Sequence, residues 1–145
     1  MTINKIDSFR GKYFFLSNCF PAEVTYDGLT YQNNEAAFQA QKTFSPEERA
    51  VFTRLPPRDA KRKGRKVRLR PDWEQVKDEI MEDIVREKFS QNPNLKKQLL
   101  STGDAQLIEG NSWNDCYWGI DIRTGVGMNH LGKILMKVRE VLSVK

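Results

Sequence analysis

The sequence predicts an α+β fold, a mostly helical single domain with a small antiparallel sheet. Apolar residues recur at helical spacing over Trp73–Phe89 and again over Leu131–Leu142. The dipeptide Asp27-Gly28 separates two alternating runs, which is typical of a β-hairpin. A chain of 145 residues can bury one core but is too short for two ordinary domains. We therefore expect one domain over residues 1–145.

End signals place the first helices along the chain. Two asparagines precede an alanine-rich stretch, so a helix is expected from about Glu35. The dipeptide Ser45-Pro46 caps and opens a second helix. A double-proline break follows, and Gly64 is expected to end a short third helix. The aromatic stretch Phe9–Leu16 is predicted to be extended.

End signals also place the helices in the second half of the chain. Asp72 is expected to open the long helix through a capping box, and Asn92-Pro93 to begin the next helix. Ala105–Glu109 is predicted to be a short strand that precedes the terminal helix.

The amino-acid composition limits the kinds of site and reaction that this chain can support. With 39% hydrophobic and 30% charged residues and no apolar run of membrane-spanning length, the chain is expected to be cytoplasmic and to have no membrane partner. Cys19 and Cys116 lie far apart without metal-ligand spacing, which fits reduced thiols. His130 is the single histidine, which excludes histidine-rich metal sites and two-histidine mechanisms. We expect no metal and no cofactor, with carboxylates and lysines moving protons.

The net charge of +5 is concentrated in segment 58–70, where a single acid, Asp59, opposes eight basic residues. These are Arg58, Lys61, Arg62, Lys63, Arg65, Lys66, Arg68 and Arg70. Two interpretations stay open: a solvated basic face, or a phosphate-binding surface for nucleotides or nucleic acid. No aromatic residue lies within the segment, so no base-stacking platform is predicted there.

A polar stripe on the first helix is the leading site candidate. Steps of three and four residues place Glu35, Phe38, Gln39 and Lys42 on one face, with small alanines on the others. We interpret the stripe as facing a pocket. The alternative is that Glu35 is a first-turn carboxylate that complements the helix dipole, and position alone favours this alternative.

The loop Glu109–Gly119 is the second candidate because it holds two of the three tryptophans. Aromatic walls suit planar heterocycles. The alternative is that Trp113, Tyr117 and Trp118 cap the core while Asp115 forms a hydrogen bond within the loop.

Several stretches together cover nearly the whole chain in a distinctive order. They are Phe14–Pro21, the Gly28 hairpin, Asn34–Lys42, Arg68–Trp73, Lys88-Phe89, Leu99–Gly103, Ile108-Glu109, Asp115–Gly119 and Asn129–Arg139. In these stretches the sequence resembles the NADAR family of YbiA-like proteins. The resemblance implies a YbiA-like fold and an N-glycosidase. Its substrates would be phosphorylated ribosylamino-pyrimidine intermediates of riboflavin biosynthesis, or ADP-ribose on guanine in nucleic acid.

The resemblance also implies roles for single residues. Glu35 matches the catalytic glutamate, which would stabilise an oxocarbenium-like ribose or activate water, and Asp115 and Trp118 fall in the second active-site motif. Asp115 would position ribose hydroxyls or assist proton transfer, and Trp118 would stack on the leaving base. Further substrate-binding positions are expected at Asn18, Phe38, Gln39, Lys42, Trp113 and Gly119.

Two other function classes stay open. A non-catalytic module that binds ADP-ribose or another NAD-derived nucleotide would use the same residues. A nucleic-acid-binding protein would instead depend on segment 58–70 and would bind with steep salt dependence. The expected partner is a small nucleotide-like substrate, with ADP-ribosylated nucleic acid bound through segment 58–70 as the second possibility.

Overall fold

Helices dominate residues 4–143, which are the residues that the computed structural model describes. The prediction of a mostly helical α+β fold is confirmed, because the strands are short and pair two by two. The chain divides into two units, one of residues 18–92 and one that joins residues up to Ser17 with residues from Pro93 onward. Within residues 4–143, no helix has both the length and the apolar character needed to cross a membrane.

The predicted hairpin lies in the unit of residues 18–92. Strand β2 (Pro21–Tyr26) pairs antiparallel with β3 (Leu29–Asn33), and buried Val24 lies opposite buried Tyr31. Asp27 and Gly28 form the turn with φ of 50° and 88°. Both values lie in the left-handed region, which suits a two-residue hairpin loop and explains why Asp-Gly occurs there. The hairpin prediction is confirmed.

Helix α1 (Asn34–Ala40) follows β3 directly, and all seven of its residues are buried. The Asn33 side chain accepts a hydrogen bond of 2.7 Å from the backbone N–H of Ala36, which satisfies one unpaired donor of the first turn. The Asn33 amide also donates to the backbone oxygen of Leu55. The helix ends at Ala40, so Lys42 lies just beyond the helix and not on its last turn.

We expect Asn33→Ala to lower the free energy of unfolding by about 1–2 kcal/mol, because the variant loses the cap of α1 and the bond to Leu55. Urea denaturation followed by circular dichroism measures the change. Gln32→Ala removes an exposed amide at the neighbouring position and is the matched control. Equal midpoints for the two variants would contradict the capping role.

Three more helices complete this unit. They are α2 (Pro46–Phe52), α3 (Pro57–Gly64) and α4 (Trp73–Gln91), each near its predicted position. The Ser45 hydroxyl accepts the N–H of Glu48, as its capping role requires. The capping box at Asp72 is wrong, because the Asp72 side chain makes no cap bond. Its two oxygens instead accept hydrogen bonds of 2.7 and 3.0 Å from Arg70, and a paired guanidinium is a stronger partner than a backbone N–H.

The other unit contains two parallel strand pairs that sequence patterns did not predict. Strand β1 (Lys5–Ile6) pairs with β4 (Gln106–Leu107), and β5 (Gly110–Asn111) pairs with β6 (Ile120–Asp121). Strands of two residues carry too little alternation to be recognised. The strand predicted over Ala105–Glu109 is therefore shortened to β4.

Helices α5 (Pro93–Ser101) and α6 (His130–Ser143) confirm two predictions in this unit. The extended segment predicted over Phe9–Leu16 is wrong, because Gly11–Leu16 forms a 3₁₀ helix. Gly11 has a φ of 58°, which turns the chain, and Phe15 and Leu16 are buried. Burial of these apolar side chains outweighs the strand preference of aromatic residues, which depends strongly on context.

Candidate active site

The Glu35 carboxylate is buried in the first turn of α1, with 8% of the residue exposed. Its Oε2 accepts a hydrogen bond of 2.7 Å from Gln39 Nε2, one helical turn later on the same face. The backbone N–H of Glu35 donates to the backbone oxygen of Asn18 at 3.0 Å. Burial and the bond from Gln39 hold the carboxylate in one orientation, as a reacting group requires.

Polar side-chain atoms of α1 are buried without a hydrogen-bond partner among residues 4–143. They are the Gln39 Oε1 and both polar atoms of the Asn34 side chain. Leaving such an atom unpaired costs about 1–3 kcal/mol, so a buried orphan calls for an explanation such as a water or a ligand. Three such atoms on the helix that carries Glu35 favour a binding role over a carboxylate that only complements the helix dipole.

Aromatic and basic side chains lie near the same helix. The Phe38 and Trp73 rings are tilted against each other with centroids 5.0 Å apart, and Lys42 Nζ lies 6.0 Å from the Trp73 centroid. Burial lowers the pKa of Lys42, and the Glu35 charge opposes that shift while the Arg65 charge adds to it. Lys42 therefore lies within electrostatic reach of both the carboxylate and the basic segment.

Asn18 joins this group from the loop before β2. It is buried, its Nδ2 lies 3.4 Å from Met81 Sδ, and its backbone oxygen binds the Glu35 N–H. These contacts place Asn18, Glu35 and Gln39 next to one another, while Phe38 lies on the same helix and Lys42 just beyond its end. Trp73 is 6% exposed, so the core position that the apolar spacing of α4 predicts is confirmed, and its ring also contacts Phe38.

Helix α3 brings the basic segment against α1. Gly64, the last residue of α3, packs so closely on Gln39 that a methyl group at position 64 would clash with Gln39 Oε1 and Cδ. The absent side chain at position 64 thus leaves room for the Gln39 amide that holds Glu35.

The second predicted motif lies in the other unit, on the loop between β5 and β6. Asn111 is 1% exposed and organises this loop, because its side chain donates to the backbone oxygen of Asp115 and accepts from the N–H of Asp115, both at 2.9 Å. Asp115 Oδ1 in turn accepts the N–H groups of Tyr117 and Trp118 at 3.1 and 2.9 Å. The loop hydrogen bonds considered as the alternative role of Asp115 are therefore present.

The aromatic residues of this loop have different surroundings. The Trp118 ring lies edge-on to that of Tyr117 with centroids 4.8 Å apart, and the Tyr117 ring is tilted by 38° against that of His130 with centroids 4.4 Å apart. Trp113 is 56% exposed, so it does not cap a core. Gly119 is buried, and a side chain there would clash with the backbone oxygen of Glu109. Gly119 therefore allows a close backbone approach, and Trp113 lies at the surface.

Metal-ligating side chains are not clustered in the part of the chain that the structure describes. Within residues 4–143, no group of three or more histidine, cysteine, aspartate or glutamate side chains is placed to hold a metal ion.

Comparison with known proteins gives a family for this chain. The NADAR domain matches residues 7–143. The chain belongs to the NADAR family. The N-glycosidase YbiA of Escherichia coli strain K12 is 38% identical over 147 residues, which cover 99% of this chain and 91% of YbiA. The NMR structure of E. coli YbiA matches with a TM-score of 0.86 at 37% identity, and covers 99% of this chain and 88% of that one. The predicted YbiA-like fold is confirmed.

A second relative has a different name. A riboflavin biosynthesis protein of Vibrio vulnificus is 42% identical over 133 residues. The match covers 88% of this NADAR chain and 35% of the Vibrio protein.

The close packing of Gly64 on Gln39 leads to a prediction for this NADAR protein. Gly64→Ala should displace the buried Gln39 amide and so break its bond to Glu35. Base release by the variant should fall about tenfold to a hundredfold, because small displacements of reacting groups are costly. The free energy of unfolding should fall by about 1–3 kcal/mol, the usual cost of an extra methyl group in a packed contact. Asp59→Ala, exposed on the same helix, is the control and should keep full activity.

Two substitutions distinguish a role of Asp115 in the structure of the loop from a role in the reaction. Asp115→Asn keeps an oxygen that can accept the N–H groups of Tyr117 and Trp118, whereas Asp115→Ala removes both bonds. If Asp115 takes part in proton transfer, Asp115→Asn should lower kcat by about 10²-fold or more with an unchanged melting temperature. Near-normal turnover by Asp115→Asn, with loss only in Asp115→Ala, would leave Asp115 a loop residue.

Proposed function

We propose that this NADAR protein is an N-glycosidase that hydrolyses the bond between C1′ of a ribose and the nitrogen of a base. The observation that carries the proposal is the buried Glu35 carboxylate, held at 2.7 Å by Gln39 on a helix that also carries orphaned polar atoms. The names of the relatives support the same reaction, since YbiA is called an N-glycosidase. A carboxylate is the group that glycoside hydrolysis requires next to the sugar.

The proposed reaction begins as the C1′–N bond breaks and its electron pair leaves with the base nitrogen. Positive charge then develops on C1′ and the ring oxygen, and the Glu35 carboxylate stabilises that charge or takes a proton from the attacking water. The water oxygen bonds to C1′, and its proton is passed to the departing base. The products are a free ribose hydroxyl at C1′ and a protonated base nitrogen.

Other residues are proposed to bind the substrate. Lys42 and the basic residues near the end of α3 would hold a phosphate, a role supported by the packing of Gly64 on Gln39, which brings the end of α3 next to α1. Asp115 would position ribose hydroxyls or assist proton transfer, and Trp118 would stack on the leaving base.

The substrate class proposed first is a phosphorylated ribosylamino-pyrimidine of riboflavin biosynthesis. The name of the Vibrio vulnificus relative supports it, as do the cationic groups beside α1, which suit a phosphate ester. ADP-ribose attached to guanine in nucleic acid is the second candidate. It is favoured by the packing of α3 against Gln39, because α3 brings the basic segment next to the Glu35 helix.

One experiment separates these candidates from a binding module that turns nothing over. Release of free base is measured from a ribosylamino-pyrimidine phosphate and from ADP-ribosylated guanosine side by side, and ADP-ribose binding is measured by calorimetry. We expect base release from the pyrimidine substrate. Base release only from ADP-ribosylated guanosine would select the second candidate. Tight binding of ADP-ribose with no base release from either compound would overturn the hydrolase and favour the module.

A further inference from the structure

A groove at the end of the basic segment contains exposed apolar side chains. Phe44 is 59% exposed and Leu69 is 54% exposed, and both line a cavity of about 530 Å³ together with Pro71. Isolated exposed apolar residues are common on protein surfaces, but a concave cluster of them marks a binding surface.

The Phe44 ring is held by a cation. The guanidinium carbon of Arg70 lies 4.4 Å from the ring centroid, and the same guanidinium is fixed by Asp72. A ring braced in this way loses little conformational entropy when a planar group stacks on it. Phe44 follows Lys42 by two residues, and the N–H of Arg70 donates to the Lys42 backbone oxygen at 2.7 Å. A backbone hydrogen bond thus connects the groove to the segment that follows α1.

The charge around the groove is positive. Arg68 lines it and is exposed, and Arg65 and Lys66 are exposed just before it in the chain. The acid in the lining is Glu48, whose carboxylate accepts a hydrogen bond from the Thr43 hydroxyl. Glu48 and Asp72 together offset Arg68 and Arg70, so the net positive charge comes from the basic residues that precede Arg68 in segment 58–70.

We propose that the groove lined by Phe44, Leu69 and Arg68 binds single-stranded nucleic acid, with one base stacked on Phe44 and the backbone phosphates along Arg68 and segment 58–70. An aromatic platform combined with a basic track is how proteins bind single strands without reading their sequence. The sequence indicated no such platform because segment 58–70 contains no aromatic residue, whereas the fold brings Phe44 to it from a different segment.

A single strand fits these observations better than other anionic partners do. A lipid surface would call for apolar side chains that protrude, and here they line a groove. An acidic peptide would match the charge but would leave the braced Phe44 ring without a planar partner. The proposal concerns binding by the unmodified strand, so it does not depend on the hydrolase function.

The test is fluorescence anisotropy of the full chain with a short labelled single strand of DNA or RNA over a series of salt concentrations. Phe44→Ala should weaken binding about tenfold or more, which is the loss of one base stack. Arg68→Gln should lower the slope of log affinity against log salt by about 0.7. Val51→Ala removes an exposed apolar side chain of α2, and Lys97→Gln removes an exposed charge on α5, so both controls should bind as the parent protein does.

Several results would overturn the proposal. They are equal affinity of Phe44→Ala and the parent protein for the single strand, duplex DNA bound as tightly as the single strand, or binding to phosphatidylserine vesicles or polyglutamate in preference to the oligonucleotide. Phe44→Ala should also keep the parent rate of base release from a small substrate. A parallel loss of that rate would mean that Phe44 acts within the hydrolytic site, which would overturn a separate groove.

Discussion

Replacing Glu35 with glutamine is expected to lower the rate of base release by about 10²- to 10⁴-fold, the usual contribution of a positioned carboxylate. The amide keeps an oxygen that can accept the Gln39 hydrogen bond, so the geometry of α1 is preserved while the negative charge is lost. Without that charge, the developing oxocarbenium ion has no counter-charge and the attacking water has no base. Single-turnover kinetics with a ribosylamino-pyrimidine phosphate measure the effect.

Two controls make the Glu35 result specific. Glu74→Gln removes an exposed carboxylate at the start of α4 and should keep the parent rate. The melting temperature of Glu35→Gln should stay close to that of the parent protein, since both side chains have nearly the same shape. Turnover by Glu35→Gln within about threefold of the parent rate would remove Glu35 from the proposed mechanism.

A Lys88→Met variant is expected to have a higher free energy of unfolding than the parent protein near neutral pH. Lys88 is 1% exposed in α4, and its Nζ lies 5.0 Å from the Phe89 ring centroid and 5.7 Å from that of Phe20. Burial lowers the pKa of this lysine to about 7, and the nearby Cys19 opposes the shift. Methionine has similar length and no charge to desolvate.

The sign of the pH dependence of stability follows from the protonation of Lys88 in the native and unfolded states. Between about pH 7 and the ordinary lysine pKa of 10.5, the unfolded chain holds a proton at Lys88 that the native chain has lost. The Lys88 contribution to the free energy of unfolding therefore rises with pH across this interval and is constant below it. At about 1.4 kcal/mol per pKa unit, the rise amounts to at most about 5 kcal/mol.

Urea denaturation at pH 7 and at pH 9.5 measures this contribution as the difference between the parent protein and Lys88→Met. The difference should be largest at pH 7 and should shrink at pH 9.5. Lys97→Met changes an exposed lysine of α5 and should show no such trend. A difference that is the same at both pH values would mean that Lys88 keeps an ordinary pKa in the native state.

Local sequence signals predicted most of the helices because each signal acts over a single turn. Asn33 before α1 and Ser45 before α2 are short-range caps that work whatever surrounds them. Gly64 ends α3 at the predicted place, but it is the last helical residue rather than a cap, and its packing on Gln39 requires a glycine there. Phe9–Leu16 shows the limit of this reasoning, since aromatic residues fit a strand or a 3₁₀ helix and burial decides between them. The two-residue strands could not be predicted either, because the strands they pair with lie far away along the chain.

What the sequence by itself determined is the set of helices, the Asp-Gly hairpin, the order of the family motifs and the position of Glu35 in the first turn of α1. Only the tertiary structure decided which groups surround that carboxylate. Gln39 faces Glu35 through helical spacing. The burial of the Asn34 side chain, the contact of Gly64 with Gln39 and the contact of Phe44 with Arg70 depend instead on residues from different elements. Such contacts depend on how helices pack, and a pattern along one chain segment does not contain that information.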